Sequence, residues 1–155
     1  MAGIYLHIPF CKTRCIYCDF YSTTRSELKT RYVHALCHEL GMRKEYLKGE
    51  PIETIYFGGG TPSQLEEADF KRIFETIREN YGMEHCREIT LEANPDDLSQ
   101  EYLKMLSSLP FNRISMGIQT FDDTTLRLLK RRHNSPNSHR SCSQVQRSGI
   151  SEYQH

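Results

Sequence analysis

Ile4-Tyr5-Leu6-His7-Ile8-Pro9-Phe10-Cys11-Lys12-Thr13-Arg14-Cys15-Ile16-Tyr17-Cys18 joins a short apolar run to three cysteines spaced C-x3-C-x2-C. The run, stopped by Pro9, suits a buried strand. The cysteines would then share one tight loop at its end. A [4Fe–4S] cluster held by four cysteines is coordinatively closed, whereas three thiolates leave one iron with an open position. Zinc, completed by a histidine such as His7, is the competing reading. Zinc sites usually pair two cysteine knuckles across roughly a dozen residues or more, and no second pair follows here. Cys37 falls within a helical stretch, Cys86 in a loop and Cys142 in a polar tail, none at ligand spacing.

Outward from this loop, strand and helix patterns alternate. A helix is expected over 26–48, where Leu28, Tyr32, Leu36, Leu40 and Leu47 recur at helical spacing before Gly49. Ile52-Glu53-Thr54-Ile55-Tyr56-Phe57 reads as a strand and runs into Gly58-Gly59-Gly60-Thr61-Pro62. Ser63 to Glu66 has the form of a capping box opening a helix to about Asn80. Strands over 88–93 and 113–118 follow, each succeeded by a helix, capped by Ser99 and Asp122 respectively. Four strand–helix repeats imply an α/β fold with a parallel sheet. In such folds the loops at the strands' C-terminal ends gather the chemistry.

Lys plus Arg equals Asp plus Glu, 20 each, so no net field draws nucleic acid. No run approaches the roughly 18 apolar residues of a membrane span, and the N-terminus lacks the pattern of a signal peptide. A cytoplasmic location is expected, where thiols stay reduced and six cysteines read as ligands or buried thiols.

The cysteine spacing with Tyr17 before the third cysteine resembles the cluster motif of the radical S-adenosylmethionine (SAM) superfamily. Flanked by Tyr5 to Phe10 and by Asp19-Phe20, it is most similar to the branch of oxygen-independent coproporphyrinogen III oxidases and HemW-type haem chaperones. The resemblance covers residues 3–133. It implies an incomplete (β/α)6 partial barrel with four of the six units present. It also implies a [4Fe–4S] cluster on Cys11, Cys15 and Cys18, and one-electron cleavage of SAM. Tyr5, Tyr17, Gly59, Gly60, Thr61, Glu92, Gln119 and Arg131 match its SAM-contacting positions.

By themselves these residues have plainer readings. A glycine run is a common tight turn, Glu92 a solvated strand end, and Lys130-Arg131-Arg132 a helix terminus complementing its dipole. The resembled oxidases carry another cysteine where Phe20 stands, so the haem-chaperone branch is favoured. Haem or porphyrin is the partner expected for the full-length family member. The electron donor is not indicated.

After Asn134 the pattern changes. Residues 135–155 hold six serines, with Cys142, Val145, Ile150 and Tyr153 as their apolar set. The chain therefore divides into a truncated core, 1–133, and an aberrant or disordered polar tail, 134–155. A sharper expectation is a reading frame that slips near Pro136-Asn137. Reading one nucleotide later permits an amphipathic helix, a glycine stop and an alternating strand, which is the unit the family would place there. Such a chain is expected to leave the fourth strand's edge unpaired and to aggregate. It would lack a SAM-contacting aspartate expected on a fifth strand and any C-terminal haem-binding region.

Overall fold

The computed structural model describes residues 2–154. Strands β1 (Ala2–Ile8), β2 (Ile52–Gly59), β3 (Glu88–Ala93), β4 (Arg113–Met116) and β5 (Ser151–Gln154) form one sheet. They are joined through helices α1 (Lys29–Met42), α2 (Glu67–Tyr81), α3 (Gln100–Ser107), α4 (Asp123–Leu128) and α5 (Ser135–Ser148). Every strand pair is parallel, and the spatial order follows the chain, β1-β2-β3-β4-β5. Because that order never reverses, right-handed crossovers carry each helix to the same side of the sheet. The sheet therefore has one face packed under helices and one open face, as in part of a barrel.

On the packed face, α2 turns Phe70, Ile73, Phe74 and Ile77 inward at spacings of three and four. Phe57 of β2 meets Phe70 and Phe74, and Phe111 closes the group with ring centroids 5.1–5.7 Å apart. Tilted and edge-on arrangements of this kind suit the rings' quadrupoles. Parity along the strands sends Tyr5, His7, Tyr56, Glu92 and Ser115 to the open face.

Four departures from the sequence reading stand out. Ser63 does not cap α2. Its hydroxyl is buried and donates to Asp97, while Asp69 accepts from the Glu66 amide at 3.0 Å to close the helix start. The last turn expected of α4 is absent: the helix stops at Leu128, and Lys130 adopts a left-handed conformation with φ of 57°. Of the tail expected to be aberrant or disordered over 134–155, residues 135–148 are helical and 151–154 pair with β4, so disorder is corrected there, while residue 155 lies outside the described residues. The fourth strand's edge is consequently covered, and the sheet ends on β1 and β5.

Helix α5 forms because Asn134 accepts from the Asn137 amide at 2.9 Å, Pro136 suits the first turn, and Gly149 ends it in a left-handed conformation. Its inward positions are Ser138, Ser141, Cys142 and Val145, one helical face filled mainly by small residues. Ser141 is satisfied by the Pro95 carbonyl at 2.7 Å. Among the described residues no helix is long and apolar enough to cross a membrane.

Candidate functional site

The loop after β1 is a closed excursion. The Thr23 amide donates to the Pro9 carbonyl at 2.7 Å and the Cys11 amide to the Thr23 carbonyl at 2.9 Å, which pins its two ends. Within it the Cys18 amide reaches the Cys15 carbonyl at 3.3 Å, tightening the turn between the second and third cysteines. All three cysteines line a cleft of about 200 Å³ above the C-terminal ends of the strands. Tyr17, Gly59, Gly60, Thr61, Glu92, Gln119 and Arg131 line it too. Tyr5 does not. It lies on the open face below, half-exposed, its ring stacked on Tyr56 at 6.0 Å and its hydroxyl 3.2 Å from His7 Nδ1.

The glycine turn is shaped by close approach. A Cβ on Gly60 would sit 2.7 Å from the Pro9 carbonyl carbon, and Gly59 has φ of 110°. Both glycine amides are used internally, Gly59 N–H donating to Glu92 Oε2 at 3.1 Å and Gly60 N–H to the Ile8 carbonyl at 2.9 Å. The other Glu92 oxygen accepts from the Tyr56 hydroxyl at 2.7 Å. Burial and then the carboxylate push the Tyr56 phenol up to about 12, so it stays a donor.

Arg131 reaches the cleft from the far wall. Its guanidinium touches Cys15 Sγ and the Tyr17 hydroxyl, each at 3.5 Å, and donates to Asn94 Oδ1 at 2.8 Å and to the Gly117 carbonyl. Its buried Nε has no hydrogen-bond partner among the described residues. A guanidinium so placed, with neutral oxygens around it and a donor to spare, fits an anionic ligand group. Gln119 holds a left-handed backbone, φ of 70°, which is uncommon for a residue with a Cβ. Its side-chain amide nitrogen lies 3.1 Å from where a Gly117 Cβ would be, and Arg131 Nη2 3.4 Å, so a side chain at Gly117 would press on both.

Burial raises the Cys11 thiol, and the neighbouring Cys18 and Cys15 add to that. Thr61 Oγ1, donating to Cys11 Sγ at 3.3 Å, opposes it by stabilising the thiolate. Among the described residues, no three His, Cys, Asp or Glu side chains are gathered as a site for one metal ion. A single zinc would draw its thiolates to about 2.3 Å from one point. A cluster instead attaches each thiolate to a different iron, a donor set that the three thiols lining this one cleft could supply.

The sequence pattern of the radical SAM superfamily matches residues 5–154. The chain belongs to that superfamily. Among relatives of this radical SAM protein are several heme chaperones HemW. That of Lactococcus lactis subsp. lactis (strain IL1403) is 37% identical over 147 residues, 94% of this chain and 38% of the relative. That of Bacillus subtilis (strain 168) is 40% identical over 136 residues, 86% of this chain and 36% of the relative. The radical SAM enzyme coproporphyrinogen III oxidase (HemN) from Escherichia coli superposes with a TM-score of 0.87 at 30% identity. That match covers 98% of this chain and 36% of that structure. The chain thus spans little more than a third of the length of these relatives.

Two residues, one in this radical SAM cleft and one behind it, escape sequence reading. Asn94 accepts from Arg131 and places its amide nitrogen 3.5 Å from Thr61 Oγ1, which turns the threonine hydroxyl toward Cys11. Asp97 is buried beneath the cleft and accepts from four side chains. The Asn94-Pro95 strand end was visible as a turn, but its partners lie more than 30 residues away in sequence, so no local pattern marks them.

Proposed function

We propose that this chain is the cluster- and SAM-binding part of a cytoplasmic radical SAM protein of haem metabolism, of the HemW haem-chaperone type. One observation carries the reading: three thiols of one loop share a cleft with a guanidinium that has a buried donor to spare. Cys11, Cys15 and Cys18 would hold a [4Fe–4S] cluster. Arg131 would take the carboxylate of SAM, and Glu92, fixed at both oxygens, would face its amino group. With the glycine amides occupied, the turn offers such an amino group carbonyl oxygens, its proper complement. Tyr17 and Gln119 would bound the remainder of the ligand. Tyr5 would act from below, by holding Tyr56 against Glu92. When bound, the cluster supplies the single electron that breaks a carbon–sulfur bond of SAM. The protein's part is to hold these groups and limit water.

Phe20, where the resembled oxidases have cysteine, and the HemW relatives both favour the chaperone branch, with haem as the ligand of the full-length protein. Porphyrinogen oxidation is the alternative, supported by the likeness to HemN. Anaerobic reconstitution with iron and sulfide is the test. An iron–sulfur absorbance band, with SAM binding that Arg131→Ala weakens at least tenfold, is the expected result. Retained zinc with no iron-dependent colour would make the chain a zinc module instead. A cluster that leaves SAM unbound would make it a cluster-binding piece only.

For residues beyond Pro136 we propose a slipped reading frame. Serine at two inward positions of α5, where a packed helix ordinarily carries larger apolar side chains, supports it. Sequencing the nucleotides from codon 130 onward decides the matter. A shifted frame encoding an apolar inward face is expected, and an open frame ending in the observed residues overturns it.

A further inference from the structure

Asp97 sits at the crossing of three loops, its side chain only 3% exposed. Oδ1 accepts from Lys12 Nζ at 2.9 Å and Arg132 Nη2 at 3.2 Å, and Oδ2 from Ser63 Oγ at 2.8 Å and Gln64 Nε2 at 2.7 Å. Arg132 also pairs with Asp96 at 2.9 Å, so two cations meet two carboxylates. Burying a carboxylate is costly unless charge and lone pairs are both answered. Here both are. Each donor, moreover, adjoins a cleft residue in sequence. Lys12 follows Cys11, Ser63 and Gln64 follow the Thr61-Pro62 turn, and Arg132 follows Arg131. The cleft's three walls are therefore tied from behind to one carboxylate.

We propose that Asp97 is a positioning residue that sets the cysteine loop, the glycine turn and the arginine segment in register to receive the cluster and SAM. This rests on the function proposed above. Removing the charge frees Lys12 first, since that lysine is the most exposed member, and with it the Cys11 end of the loop. The Arg131 backbone is released on the opposite wall at the same time. Truncating one partner of a buried charged hydrogen bond ordinarily costs enough to change a local opening equilibrium about tenfold.

The test is site-resolved alkylation of the cluster-free chain by N-ethylmaleimide, followed by peptide mass spectrometry, in wild type, Asp97→Asn and Lys12→Met. Cys11 is expected to react about tenfold faster in both variants, with Cys37 and Cys86 unchanged. Uniform acceleration of all cysteines would mean general destabilisation, and no acceleration would mean that the loop needs no clamp. Either overturns the proposal. Should Asp97→Asn fail to fold, Lys12→Met decides: losing the lysine charge beside Cys11 by itself slows maleimide attack, so faster reaction there reads release of the loop. In the reconstituted protein, Asp97→Asn is also expected to blunt the change that SAM makes in the cluster's electron paramagnetic resonance signal. Absence of a cluster in wild type would defeat the proposed function and leave the alkylation result to judge the clamp separately.

Discussion

Thr61 joins the glycine turn to the cysteine loop through one hydroxyl. Its proton lies toward Cys11 because Asn94, itself oriented by Arg131, faces the oxygen. Hydrogen bonds to a cluster's sulfurs stabilise the more negative, reduced form and raise its potential. Thr61→Val should therefore lower the potential, changing the reduced-to-oxidised ratio about three- to tenfold at fixed applied potential, as read by spectroelectrochemistry. Tyr56 gives a pH test. Its phenol rises from the ordinary value of 10 to about 12 in the folded chain, so its neutral form is favoured by folding. That stabilisation is complete below pH 10 and is lost as pH climbs through about 12. The melting-temperature advantage of wild type over Tyr56→Phe should be constant below pH 10 and shrink above it. At this scale the cysteines announce themselves by spacing. Asn94 and Asp97 do not, because polar partners brought in by a parallel sheet leave no trace in sequence order.

Gly60 shows what the element scale demands. The β2 turn passes so near Pro9 that an added methyl would meet backbone, which cannot rotate away. Gly60→Ala should destabilise the chain by about 1–3 kcal/mol, measured as a lower urea midpoint at unchanged slope. Strands β1 to β4 were legible because β-branched and aromatic residues run into glycine, proline or asparagine. Helix α2 was legible from its four-residue apolar stripe. Its start was not, since Ser63 satisfies a local capping pattern yet is taken by Asp97. Helix α5 hid for another reason. Its inward positions 138, 141, 142 and 145 keep helical spacing, but serine carries that spacing without hydrophobicity. A reading based on apolar periodicity cannot see it.

Across the whole molecule, consecutive strand order leaves two edges, β1 and β5, and one face of the sheet without helices. Edge strands present unpaired backbone groups to other chains. The isolated chain should therefore self-associate as concentration rises, visible as a growing mass in size-exclusion chromatography with light scattering. A monomer at all concentrations would count against this. Fold class and cleft walls were readable at this scale because alternation of strand and helix dictates them.

The contact between Cys15 and Arg131 spans 116 residues. Ribosomes add about 5–20 residues per second, so the cysteine loop exists on the order of ten seconds before its arginine is made. Each βα unit can settle on the one before it as the chain emerges, yet the far wall of the cleft arrives last. The loop spends its earliest moments as three uncovered thiols, and the cleft proposed to take a cluster is complete only after that interval. Biogenesis, rather than geometry, then becomes the stage at which oxygen can do the most harm.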